Sequence, residues 1–252
     1  MEFDFLVYCV FFIGAFVGGF IDAIAGGGGL IIVPLLMAFG IDPHTALATN
    51  KLQGSFGSFT ASLNFTLKGM INFKEVFICI FFTFVGACIG AKTILFLNTD
   101  ILKIIVPFLL ISIFVYTIFS PNITEQDRKS KIDPKVFYIC FGLLLGFYDG
   151  FFGPGTGTFW TFSMVALLGL NIKKAVANTK IFNFTSNIVS LFIFILSGNI
   201  LWFVGVLMGV AAIIGAYFGS NLVIKKEIKF IRFVFLSVVA FTILKLLWDF
   251  FK

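Results

Sequence analysis

Two stretches of this 252-residue chain place an aspartate and then a cluster of glycines inside long apolar runs. Gly19-Phe20-Ile21-Asp22-Ala23-Ile24-Ala25 leads into Gly26-Gly27-Gly28-Gly29, and Gly146-Phe147-Tyr148-Asp149-Gly150 leads into Gly153-Pro154-Gly155. A carboxylate and an interrupted helix are both expensive in hydrocarbon, so a chain that carries both, twice, must shelter them in a buried site. Of the residues, 60% are hydrophobic and 12% charged, more apolar surface than a soluble fold of this length can hide. The runs are continuous and not alternating, which selects helices over a membrane barrel. The expectation is an all-α, polytopic integral membrane protein.

The two stretches belong to an internal repeat. Asp22 matches Asp149, and a shift of 129 positions then carries Ala46-Leu47-Ala48-Thr49-Asn50-Lys51 onto Ala175-Val176-Ala177-Asn178-Thr179-Lys180. The same shift takes Gly69 to Gly198, Gly86 to Gly215 and Gly90 to Gly219. Residues 1–119 and 136–252 are the two copies, and the polar stretch 120–135 is the linker between them. Each copy holds five apolar segments, near 5–22, 29–40, 45–67, 75–97 and 101–119, then 136–151, 157–169, 174–197, 201–224 and 230–250. The first two of each copy are shorter than the ~20 residues of a full span, which predicts a broken hairpin with a glycine bend in the membrane or at its edge.

Matched loops carry opposite charge bias. Lys68 and Lys74 flank a loop whose counterpart, 197–200, has no charge. Asn98-Thr99-Asp100 is acidic where Lys225-Lys226-Glu227-Ile228-Lys229 is basic, and Ile41-Asp42-Pro43-His44 lacks lysine where Asn171-Ile172-Lys173-Lys174 has two. The positive-inside rule then places the Arg128/Lys129/Lys131 linker in the cytoplasm, both termini outside, and the copies in opposite orientations. Such inverted-topology repeats are common in secondary transporters; a parallel repeat with four crossings per copy is the alternative. The formal charge of +6 sits in these loops as an orientation signal and does not call for nucleic acid.

The third segment of each copy carries a stripe. Asn50, Gly54, Gly57, Ser58 and Ala61 fall on one helix face, and Thr179, Asn183, Ser186, Asn187 and Ser190 occupy the matched face. Such stripes serve helix packing or line a cavity, and the paired amides of Asn183 and Asn187 favour a lining. Lys51 and Lys180 start roughly 10 Å below the loop, where they either snorkel to the interface or help to attract an anion. The glycine clusters, with Gly27, Gly28, Gly155 and Gly157, are tight turns or N–H cradles for an anion at the start of a short helix; neither is a nucleotide-binding loop.

Three roles are open to Asp22 and Asp149: capping the bends, pairing with a lysine, or carrying a proton, since burial favours the neutral form of a carboxyl. His44, the sole histidine, reads as an interfacial loop residue, and Trp160, Trp202 and Trp248 as including interface anchors. Cys9, Cys79, Cys88 and Cys140 have no metal or redox spacing and read as small core residues, so neither metal nor cofactor is expected. The first apolar run follows Glu2 and Asp4 without a cleavage site and reads as a retained span.

The run Gly19-Phe20-Ile21-Asp22-Ala23-Ile24-Ala25-Gly26-Gly27-Gly28-Gly29-Leu30-Ile31-Ile32-Val33-Pro34, followed by Ala48-Thr49-Asn50-Lys51, resembles the signature of the sulfite exporter TauE/SafE family of membrane transporters. The resemblance spans essentially the whole chain. The second copy departs from the pattern, with Pro154 and Thr156 in place of glycines and Thr179 in place of Asn50. The resemblance implies a multi-pass permease of the inner membrane for small sulfur-containing anions such as sulfite or sulfonates, or for other organic anions; the expected partners are that small anion and the lipid bilayer, with a homo-oligomer left open. In the resulting reading, Asn50, Asn183, Asn187, Thr156 and Thr158 bind the anion by hydrogen bonds. Lys51 and Lys180 supply positive potential, Asp22 or Asp149 carries a proton, and one copy rocks on the other through Gly86/Gly90 and Gly215/Gly219. A channel and an intramembrane enzyme are the competing classes. The second lacks any nucleophile or metal motif.

Overall fold

The structure, a computed structural model, describes residues 3–98, 100, 127–198 and 200–226. Its regular elements are all helical: α1 (Phe5–Ala25), α2 (Gly29–Ala38), α3 (Pro43–Leu67), α4 (Phe73–Leu95), α5 (Pro134–Phe151), α6 (Thr156–Ser163, continuing as a π-helical turn over Met164–Leu168), α7 (Ile172–Ser197) and α8 (Trp202–Lys225). Among the described residues there is no β-strand. The fifth segments expected near 101–119 and 230–250, Trp248, and loop residues Thr99, Asn199 and 227–229 lie outside them.

Local chemistry sets the helix boundaries. Asp42 caps α3 by accepting the Thr45 N–H at 3.1 Å, with Pro43 at the first helical position. Asp133 and Pro134 open α5 in the same way, and Asn72 and Asn171 cap α4 and α7. These caps start α3 before His44. The histidine is therefore in the first helical turn and buried, not in an interfacial loop, and its Nε2 meets the Leu97 carbonyl at 2.9 Å. α1 runs past Asp22 to Ala25 and stops where Gly26 turns left-handed at φ 77°, its N–H returning to the Asp22 carbonyl at 2.8 Å.

α1, α4, α7 and α8 are each long and apolar enough to cross a membrane. α2 has 10 residues, about 15 Å of rise, half the thickness of a hydrocarbon core. Phe5, Phe77, Phe81, Leu144, Phe203 and Phe218 are exposed on the outside of the bundle, as a lipid-facing surface requires. Trp160 is fully buried, packed on Phe182 with ring centroids 4.6 Å apart, so it is a core residue and not an interface anchor; Trp202 is half exposed. Of the cysteines, Cys79 is in the core while Cys140 is exposed.

The tightest helix contacts join the two sequence halves. α4 lies against α5, and α8 against α1. A Cβ on Gly86 would stand 2.7 Å from the Phe147 nitrogen, and one on Gly90 2.7 Å from the Phe151 nitrogen. Matched residues do matched work: a Cβ on Gly19 would meet the Ala212 carbonyl oxygen at 2.7 Å, and one on Gly146 the Thr83 carbonyl oxygen at 2.6 Å. Gly215 and Gly219 face Phe20 and Ala23 in the same manner. Small residues thus bring backbones together, as they do in other membrane helix pairs. The sequence reading has these glycines let one half slide over the other. Backbone atoms fill the space a Cβ would take, so the close approach of the halves depends on these glycines.

The described part of the linker, from Asp127 on, is also docked. Arg128 N–H donates to the Gly169 carbonyl at 2.7 Å and Lys131 N–H to the Leu167 carbonyl at 2.8 Å. Asp127 accepts the Asn171 N–H at 2.7 Å and pairs with Lys174. Burial alone would raise the Asp127 carboxyl, but the Lys174 ammonium and the Asn171 donors outweigh it and hold the group below its usual range.

A polar centre between two crossed ion pairs

The two glycine bends meet. A Cβ on Gly157 would lie 2.5 Å from Gly26 Cα, and one on Gly29 3.1 Å from Pro154 Cα. Gly26, Gly153 and Gly155 all have positive φ, so both chains turn sharply while their backbones touch. Thr158 Oγ1 donates to the Ala25 carbonyl at 2.9 Å, fastening the second bend to the end of α1. Thr156 Oγ1 donates to the Gly153 carbonyl at 2.7 Å. Both hydroxyls are buried and spent on holding the bends, away from the cavity described below, so the structure does not bring them to the place where the sequence reading wants anion ligands.

Each lysine of the stripe helices crosses to the other half. Lys51 Nζ, on α3, donates to Asp149 Oδ1 at 2.6 Å and to the Asp149 carbonyl. Lys180 Nζ, on α7, donates to Asp22 Oδ2 at 3.0 Å and to the Asp22 carbonyl. Both ammonium groups are fully buried, so neither lysine snorkels. Each reaches the last turns of a helix, α5 for Lys51 and α1 for Lys180, where orphan carbonyls and the helix dipole favour a cation. Of the roles open to the aspartates, lysine pairing is present at both and capping at one: Gly28 N–H donates to Asp22 Oδ1 at 3.3 Å. In that bend the carboxylate takes a donor the cradle reading assigned to an anion.

The two pairs differ. Asp149 also accepts the Ser186 hydroxyl, and its side chain is 4% exposed. Asp22 is 25% exposed. The residue matched to Ser186 is Gly57, which has no hydroxyl to give. The small stripe of α3 and the polar stripe of α7 therefore make the centre asymmetric.

Between the pairs lies a cavity of ≈ 40 Å³. At ~10–15 Å³ per water it holds about three waters or the head of one small oxyanion. The first half supplies its space through Gly18, Gly19, Gly54 and Gly57, and the second supplies amides through Asn183 and Asn187. Asn50, Gln53, Ser58, Gly26, Gly28 and Gly157 also line it, with both aspartates. Gly27 and Gly155 do not, and the lysines stand behind the carboxylates. Among the described residues Asn183 Oδ1 is buried without a protein partner, and Asn187 Nδ2 donates to Ser58 Oγ at 3.5 Å. Gln53 was missed by the sequence reading although it donates to Asn50 Oδ1 at 3.0 Å; its place one turn from Asn50 was the available signal. Among the described residues no cluster of metal-ligating side chains is present.

The arrangement places amide, hydroxyl and carboxylate groups around a small cavity inside a helical bundle. A family model described as Sulfite exporter TauE/SafE matches residues 10–246. The chain is 43% identical over 231 residues to a Haemophilus influenzae protein named "Probable membrane transporter protein", covering 90% of this chain and 88% of that one. It is 42% identical over 238 residues to a namesake from Sinorhizobium, covering 94% and 91%. It is also 42% identical over 244 residues to one from Escherichia coli K12, covering 97% and 91%. No solved structure matches. The chain belongs to the sulfite exporter TauE/SafE family of membrane transporters.

Proposed function

We propose that this protein is a proton-coupled secondary carrier for a small sulfur-containing or organic anion, such as sulfite or a sulfonate, in the inner (plasma) membrane. The observation that carries the reading is the polar cavity held between two ion pairs that cross the halves. In this reading Asn50, Asn183 and Asn187 bind the anion, Lys51 and Lys180 supply positive potential from behind Asp149 and Asp22, and a proton bound with the anion keeps the centre neutral. The halves are an inverted-topology repeat whose short α2 and α6 complete broken hairpins. The moving bodies are then the interlocked pairs, α1 with α8 and α4 with α5, because the glycine contacts hold these together more closely than either sequence half holds itself.

The test is uptake by proteoliposomes of the purified protein, offered labelled sulfite, alkyl sulfonates and small carboxylates with and without a pH gradient. Saturable uptake of at least one anion, faster with the gradient, is the expected result. No flux of any of them above protein-free vesicles would refute the reading.

A further inference from the structure

We infer that one negative charge crosses with one proton, that Asp22 and not Asp149 carries that proton, and that the transported species is therefore a monoanion. This rests on the carrier reading above and specifies its charge chemistry. The argument begins with a count. The centre holds two carboxylates and two ammonium groups, so when empty it is neutral. An anion entering alone would leave a net negative charge in a buried site, which is strongly disfavoured. One proton bound with each anionic charge restores neutrality, and the site returns empty and neutral.

Geometry says where the proton goes. Asp149 is gripped by Lys51 and Ser186 and is nearly inaccessible. Asp22 lacks the hydroxyl, because Gly57 replaces the serine, and its carboxylate opens onto the cavity. The other ionisable groups around it are Lys180, in contact, and the Asp149–Lys51 pair across the cavity. α2 and α6 carry no ionisable side chain, and α8 carries only Tyr217, exposed on its outer face, and Lys225 at its end. A proton from the aqueous phase on Asp22 frees Lys180 to face the anion, and the unpartnered Asn183 Oδ1 and the adjacent Asn187 amide complete the pocket. On the far side the anion leaves, the proton follows, and Lys180 recaptures Asp22. A dianion would need a second proton, and Asp149, which also borders the cavity but is only 4% exposed, has its oxygens taken by Lys51 and Ser186.

The test uses proteoliposomes of the full chain, with radiolabelled methanesulfonate and sulfite as probes and sulfate as the dianion. Accumulation should rise about tenfold per unit of pH gradient and should not respond to a potassium gradient clamped with valinomycin; a carrier moving one net charge would shift about tenfold for a tenfold potassium gradient. Sulfate should not accumulate. Asp22→Asn should keep probe exchange but without pH dependence, and lose at least about tenfold in net gradient-driven uptake, since its empty site carries a charge home. Asp22→Glu should restore coupling. Voltage-driven uptake, sulfate accumulation, or normal gradient-driven uptake by Asp22→Asn overturns the inference while leaving a carrier. If Asp22→Asn does not fold, the potassium clamp on the unaltered protein decides. No flux of any probe refutes the carrier reading itself.

Discussion

Asp149→Asn should lower the stability of the folded protein by about 3–5 kcal/mol, because it leaves Lys51 an uncompensated cation in a dry interior. The pair is 0% and 4% exposed, so water cannot take over the lost charge partner. The substitution also weakens the Ser186 contact. Asp22→Asn should cost distinctly less, since the Asp22 side chain is 25% exposed and, with Gly57 in place of the serine, has no hydroxyl contact to lose. Adding Lys51→Met to Asp149→Asn should recover most of the loss, because an apolar replacement removes the stranded charge. Thermal unfolding of the purified variants in detergent measures all three. Equal losses for the two single variants would contradict the asymmetry drawn between the pairs.

Gly157→Val should be strongly damaging, at upwards of about 3 kcal/mol, the top of the usual range for overpacking. Its Cβ would sit 2.5 Å from Gly26 Cα and 2.9 Å from the Gly26 carbonyl oxygen. Neither can yield cheaply, because both belong to the backbone of the opposing bend. The two bends would have to part, carrying Asp22 and Asp149 with them, so folded yield should fall together with any flux. Gly57→Ala is the control, as its Cβ would make an ordinary contact with Ala212 Cβ at 3.5 Å. A thermal shift for Gly157→Val no larger than that of the control would mean that the bends are not in contact.

Much of the fold is written locally and could be read. Asp42-Pro43, Asp133-Pro134 and Asn171 announce their helices, and the segment boundaries in the sequence agree with α3, α5 and α7 to within two residues. The matched lysines and aspartates were visible as well. Their partners were not, because each pair joins residues 98 or 158 positions apart and depends on how the two halves dock. The bonds of Thr156 and Thr158 were hidden for a related reason. A hydroxyl beside a helix end takes the nearest orphan carbonyl, and at a bend that carbonyl is closer than any solute. The Gly57-for-Ser186 difference was plain in the two stripes, but its meaning needed the position of each aspartate.

The most direct test of the polar centre as the transport path is a cysteine at Gly54, whose side chain would face the Asn187 amide. With Cys9, Cys79, Cys88 and Cys140 replaced by alanine, an impermeant thiosulfonate should modify Gly54→Cys in right-side-out and in inverted vesicles alike. Flux should fall in step with modification. A cysteine that reacts from neither face, or one fully modified while flux continues unchanged, would contradict the account.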